Sequence, residues 1–169
     1  LALGAFGSDT GGSCRQPAGY CGIVGFKPTY GAVSRHGLIA LGSSLDQIGE
    51  MGKTVADVEA LFETVRGQDK LDSTTTAPGT YATRAVPTKF RIGVPTDLLE
   101  GIDADARIRF DETLAKLRAE GHEIKEVELP LSALALPMYY IVLPAEISAN
   151  LARFDGMRYG LAKRGTTLL

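Results

Sequence analysis

Twelve of the chain's 20 glycines fall within residues 1–52, where only six side chains carry charge: Asp9, Arg15, Lys27, Arg35, Asp46 and Glu50. A stretch so rich in glycine and so poor in charge predicts tight turns between buried strands, or a site where backbone closely approaches a bound group. Its most informative part is Gly7-Ser8-Asp9-Thr10-Gly11-Gly12-Ser13-Cys14-Arg15-Gln16-Pro17. In a turn of that kind the N–H groups of Thr10, Gly11 and Gly12 can converge on a developing negative charge. Ser13 then stands at the edge of the cradle, where a nucleophile belongs. Asp9 and Arg15 flank the turn with opposite charge, placed to pair with each other or with backbone groups and so hold it.

The rest of the composition narrows the classes available. At 169 residues, 44% hydrophobic and 22% charged, the chain is long enough for one domain with a sizeable core. A formal net charge of -2 gives no global surface for a polyanion. Cys14 and Cys21 have no zinc spacing and no accompanying histidine pair, so two reduced thiols are expected. No metal site is expected. No apolar run reads as a membrane span and no signal peptide is recognised, so a cytoplasmic setting is expected. The chain starts at Leu1 within an apolar stretch and ends at Leu169 without a polar tail, and both ends read as cuts through a longer protein.

Beyond residue 52 the pattern changes. Thr54 is placed to cap a helix with Val55, Val58, Leu61, Phe62 and Val65 on its apolar face and Gly67 as its stop. Residues 68–88 read as a surface loop. Residues 90–95 read as a short buried strand, and Asp103 or Asp105 starts a helix ended by Gly121. His122 to Leu129 reads as a second strand, which makes the pair parallel with a right-handed crossover. Residues 135–163 read as mostly helical, with Pro137 and Pro144 marking starts or kinks.

Four runs then carry a resemblance: Gly7 to Pro17; Cys21-Gly22-Ile23-Val24-Gly25-Phe26-Lys27-Pro28-Thr29-Tyr30-Gly31; Val33 to Leu38; and Ser43-Ser44-Leu45-Asp46-Gln47-Ile48-Gly49. Together they resemble the amidase signature family. A second block narrows this, with Tyr139-Tyr140-Ile141-Val142, then Ala145 to Gly156, then Arg158-Tyr159-Gly160. It is similar to the tRNA-dependent amidotransferase subunits of that family.

The resemblance implies an α/β fold, with this chain as part of one domain built on a mixed β-sheet flanked by helices. Residues 1–52 would be its catalytic glycine- and serine-rich segment and 53–169 its helices and strand-helix-strand unit. It also implies a Ser–Ser–Lys triad, with Ser13 as the acyl-forming nucleophile and Thr10, Gly11 and Gly12 as backbone oxyanion donors. The base lysine and the bridging serine would lie upstream of Leu1. The substrate would be glutamine, the product ammonia, and the partners the other amidotransferase subunits of a heterotrimer, one of them presenting an aminoacyl-tRNA. No cofactor is expected in this chain, and ATP and magnesium would serve the partner subunit. A free-standing amidase acting on a small amide and a non-catalytic domain are the alternatives.

Tyr139 is the candidate for substrate recognition, against the plainer reading of a core aromatic on an amphipathic helix. Tyr140 reads as packing. Asn150, Arg153 and Asp155 either line the site or pin the helix. Asp46 reads as support for the site. Lys27 matches a non-catalytic position beside a turn, and His36 and His122 read as incidental. Leu41, Cys14 and Glu50 depart from the family's usual aromatic, aliphatic and proline residues, the first with a consequence for the shape of the substrate pocket. A phosphate-binding loop would need a lysine where this chain has Gly-Gly-Ser-Cys.

Overall fold

The computed structural model describes residues 2–77, 79–80, 85–155, 158, 159, 163 and 165. Gly156 and Gly160 of the second block, and the C-terminal residues 166–169, lie outside the described residues. The chain divides into two compact units, Leu1–Ala82 with Tyr139–Leu169, and Thr83–Met138. The change of composition after residue 52 is not a boundary between them.

In the first unit three strands form an antiparallel sheet in the order β1-β3-β2, with β1 at Gly4–Asp9, β2 at Val24–Phe26 and β3 at Gln47–Gly52. Gly7 pairs with Gly49 across β1 and β3. A Cβ on Gly7 would stand 3.0 Å from Cys14 Sγ, and one on Gly49 3.1 Å from it. The two glycines therefore make the hollow that the Cys14 thiol fills. The short helix α1 (Arg15–Tyr20), which sequence reasoning did not separate from the loop, packs on β2. A Cβ on Gly25 there would stand 2.7 Å from Ala18 Cβ.

Helix α2 (Val55–Val65) forms over the predicted residues with Val58 buried, but Val55, expected on its apolar face, is 70% exposed. Thr54 caps it in a reciprocal box: its hydroxyl accepts from the Asp57 N–H at 3.2 Å, and Asp57 Oδ2 accepts from the Thr54 N–H at 2.9 Å. Phe62 meets Phe26 edge to face, and Gly67 follows the helix at φ +142. The largest fully buried side chains of this unit are Gln47, Glu50, Asp9, Asp46 and Cys14. Four of those five are polar, a composition that marks a site rather than simple packing.

The second unit contains the parallel pair predicted from sequence. Strands β4 (Arg91–Pro95) and β5 (Glu123–Val127) pair in parallel, joined through a 3-10 turn at Thr96–Leu99 and helix α3 (Ala104–Ala119). Asp103 caps α3 by accepting from the Asp105 N–H at 2.9 Å, and Gly121 follows at φ +86.

Helix α4 (Ser132–Leu151) starts before Pro137 and runs through both prolines, so neither marks its start. Over an 18-residue window its mean hydropathy is 1.3, so this 20-residue helix is long and apolar enough to cross a membrane by length and composition, which corrects the reading that no run is. Pro137, Pro144, Glu146 and Asn150 interrupt this run in the sequence. Glu146 and Asn150 are hydrogen-bonded to a protein loop, as expected of a helix seated on its own scaffold.

Candidate functional site

The site is built on the turn that leaves β1. Asp9, its side chain wholly buried, accepts five hydrogen bonds: from the N–H groups of Gly12 at 2.7 Å, Cys14 at 3.2 Å and Arg15 at 3.4 Å, and from Arg15 Nε and Nη2, each at 3.0 Å. Three of those donors are the backbone of the turn itself. The carboxylate thus does the work of a helix cap for α1, whose own N-cap residue, Cys14, makes no side-chain cap hydrogen bond. Burial alone would raise the Asp9 pKa. The Arg15 guanidinium and the Cys14 and Gly12 N–H groups outweigh it and hold the carboxyl at about 2.

Ser13 stands exposed on this turn. Among the described residues none is hydrogen-bonded to its hydroxyl. The Gly12 N–H is committed to Asp9, so the expected trio of oxyanion donors is not wholly free. Among the described residues the N–H groups of Thr10 and Gly11, and that of Ser13 itself, have no partner. Gly12 has φ +133, a conformation that favours glycine.

Asp46, also buried, ties this turn to the loop at 41–44. Its carboxylate accepts from Thr10 Oγ1 at 2.7 Å, from the Leu41 N–H at 2.8 Å and from the Gly42 N–H at 3.1 Å. From the far side Tyr30 donates its hydroxyl to the Ser43 carbonyl at 2.7 Å, and Arg35, stacked on the Tyr30 ring, donates to the same oxygen.

The residues of α4 from Tyr139 onward belong to the first unit and bring a third side to the site. The Tyr139 ring lies against Gly11 so closely that a Cβ there would stand 2.8 Å from Cε2. Leu143 packs on Gly42. Ser44 donates its N–H at 3.1 Å and its hydroxyl to Glu146. Asn150 accepts from the Ser43 hydroxyl at 3.1 Å and donates to the Leu41 carbonyl at 2.9 Å. Residues 139, 143, 146 and 150 share one helix face by spacing alone, and that was the signal for Glu146, which sequence reasoning did not select. Of the three residues left open, Asn150 pins the helix to the loop. Arg153 donates to Asn150 at 3.3 Å, and Asp155 pairs with Arg158 at 2.6 Å.

Other candidates fall elsewhere. Lys27 donates to the Pro28 carbonyl at 2.7 Å. His122, in the second unit, accepts from the Phe90 N–H, and His36 is exposed. Tyr140 is 65% exposed and meets the Tyr139 ring edge to face, so it is not the packing residue expected. Burial, with the Asp9 and Glu50 carboxylates beside it, pushes the Cys14 thiol up and away from reactivity. Both cysteines are free, Cys21 being exposed. Glu50 is fully buried with no hydrogen-bond partner on either oxygen among the described residues, and burial pushes its carboxyl up to about 7. Among the described residues no three His, Cys, Asp or Glu side chains gather as a metal site would require.

The amidase family profile matches residues 1–168. A glutamyl-tRNA(Gln) amidotransferase subunit from Chlamydia trachomatis serovar L2 is 51% identical over 159 residues, covering 92% of this chain and 32% of that protein. The solved structure of a glutamyl-tRNA(Gln) amidotransferase subunit from Thermotoga maritima matches with a TM-score of 0.76 at 40% identity, over 92% of this chain and 35% of the other. A peptide amidase from Stenotrophomonas maltophilia matches with a TM-score of 0.71 at 26% identity, over 92% of this chain and 33% of the other. The chain spans about a third of the length of the curated relatives it matches.

Proposed function

This chain belongs to the amidase family, and on that premise we propose that it carries the acyl-forming half of a glutamine-hydrolysing site in a tRNA-dependent amidotransferase. Ser13 Oγ attacks the side-chain carboxamide carbon of glutamine. The N–H groups of Thr10, Gly11 and Ser13 take the resulting oxyanion, while that of Gly12 stays with Asp9. Collapse breaks the C–N bond, and the protonated nitrogen leaves as ammonia. Water then cleaves the acyl-enzyme to glutamate and restores the serine. A lysine kept neutral by burial, working through a bridging serine, removes the Ser13 proton. Neither is among the residues placed at this site. Ammonia passes to a partner subunit that holds glutamyl-tRNA activated with ATP and magnesium.

The observation that carries this reading is the buried Asp9 carboxylate, which orders the turn while Ser13 and the backbone donors of Thr10 and Gly11 stay unengaged among the described residues. The Tyr139 ring over Gly11 supports its role as a wall of the glutamine pocket. Similarity to subunits of glutamyl-tRNA(Gln) amidotransferase favours that assembly over a free-standing amidase, the reading that the more distant peptide amidase supports. The test is glutaminase turnover of the complete protein with and without its partner subunits, together with labelling by an electrophilic amide probe. Labelling at Ser13 and turnover that depends on partners are expected. Full turnover without partners favours the free-standing amidase, and a folded protein that never labels at Ser13 is a non-catalytic domain.

A further inference from the structure

The hydrogen bonds of the first unit run in a continuous series from α4 to the turn beside Ser13. Asn150 holds the Leu41 carbonyl and the Ser43 hydroxyl, and Glu146 holds the Ser44 N–H and hydroxyl. The intervening loop gives its Leu41 and Gly42 N–H groups to Asp46, and Asp46 accepts the Thr10 hydroxyl. Gly42 is the point of closest packing. A Cβ there would stand 2.7 Å from Leu143 Cδ1 and 3.3 Å from Thr10 Cγ2, so helix, loop and turn touch at one residue. Asn150 is itself buried, with its amide engaged at both ends. Asp46 and Asn150 are the buried polar side chains of this series, and neither can relax without leaving a buried polar group unpaired, so a displacement at one is passed to the other.

We propose that Asn150 is a positioning residue for acylation of Ser13: acting through loop 41–44 and Asp46, it sets the place of the Thr10 backbone N–H. The inference rests on the reading of Ser13 as the acylated residue. A merely structural clamp would hold α4 in place and leave the chemical step alone. The positioning role predicts a loss in kcat, since the Thr10 N–H binds the oxyanion more tightly than the ground-state amide.

The experiment uses the complete protein with its partner subunits and compares Asn150→Ala, Ser43→Ala, Thr10→Val, Thr10→Ser and the double variant Asn150→Ala with Thr10→Val. Asn150→Ala and Thr10→Val are each expected to lower kcat about tenfold, with a change in KM of less than about threefold. Thr10→Ser, which keeps the hydroxyl, is expected to recover most of the kcat that Thr10→Val loses. The double variant is expected to fall no further than the worse single variant, because both break the same series. Ser43→Ala removes a single hydroxyl, and is expected to cost about threefold in kcat should Asn150→Ala fail to fold. Multiplying losses, or a lowered melting temperature with unchanged kcat, would overturn the proposal. Wild-type protein whose Ser13 is acylated while the variants match it defeats this inference alone. Folded wild-type protein that is never acylated at Ser13 defeats it together with the functional reading.

Discussion

Two carboxyl groups on one three-stranded sheet are equally buried and shifted in opposite directions, and the difference is what each one touches. Asp9 has five donors around it and is held ionised at about 2. Asp9→Asn keeps the shape but removes the charge that gathers the Gly12, Cys14 and Arg15 N–H groups. We expect glutaminase kcat to fall between about tenfold and a hundredfold, with the circular dichroism spectrum retained. Among the described residues no donor bonds either Glu50 oxygen, and burial, only partly opposed by its own backbone N–H, favours the neutral form up to about 7, against an ordinary value of 4.5. The folded state therefore binds that proton more tightly than the unfolded state does. Stability is fully present below about pH 4.5 and is lost as pH rises towards 7, by about 3 kcal/mol in total. Glu50→Gln should raise the urea midpoint at pH 8 and leave it nearly unchanged at pH 4.5. Equal shifts at the two pH values would show that Glu50 does not carry this dependence. The Asp9–Arg15 pair was legible because the partners lie six residues apart around a glycine turn. The isolation of Glu50 was not legible, because burial on a central strand depends on what the neighbouring strands bring beside it.

Helix α2 and the unit of β4, α3 and β5 follow closely from local sequence. Their caps, stops and apolar faces lie within a few turns of each other, so short-range chemistry decides them. Thr54→Ala removes one half of the capping box on α2. It should cost about 1 kcal/mol, read as a lower urea midpoint with an unchanged slope. Helices α1 and α4 follow less well. The first is six residues long and begins inside the site, with a cap supplied by Asp9 from the preceding strand rather than by its own N-cap residue. The second keeps its course through Pro137 and Pro144 despite the lost N–H groups, with Leu143, Glu146 and Asn150 anchored on loop 41–44.

At the scale of the molecule, many large apolar side chains lie exposed. Leu134, Leu136, Met138, Tyr140, Ile141 and Val142 of α4 are exposed, as are Phe6 and Phe26 on the sheet. The chain spans about a third of its curated relatives. The proposed mechanism needs a lysine base and a bridging serine, and neither is placed against Ser13 among the described residues. We therefore expect no measurable glutaminase turnover from these 169 residues purified alone, in a direct ammonia-release assay. Robust turnover by the isolated chain would show that the base lies within it.

The glycine turn, its serine and its flanking charges were readable from the sequence, because a nucleophile, its backbone donors and an ion pair fit within a single short run of residues. Family membership was readable on the same runs of residues. At the site itself, the commitment of the Gly12 N–H to Asp9, the contact of Tyr139 with Gly11, and the series from Asn150 to Thr10 came only from tertiary structure. The first is a choice between acceptors that the sequence leaves equal. The others join residues more than a hundred positions apart, and nothing in local propensity states which helix face will meet which loop.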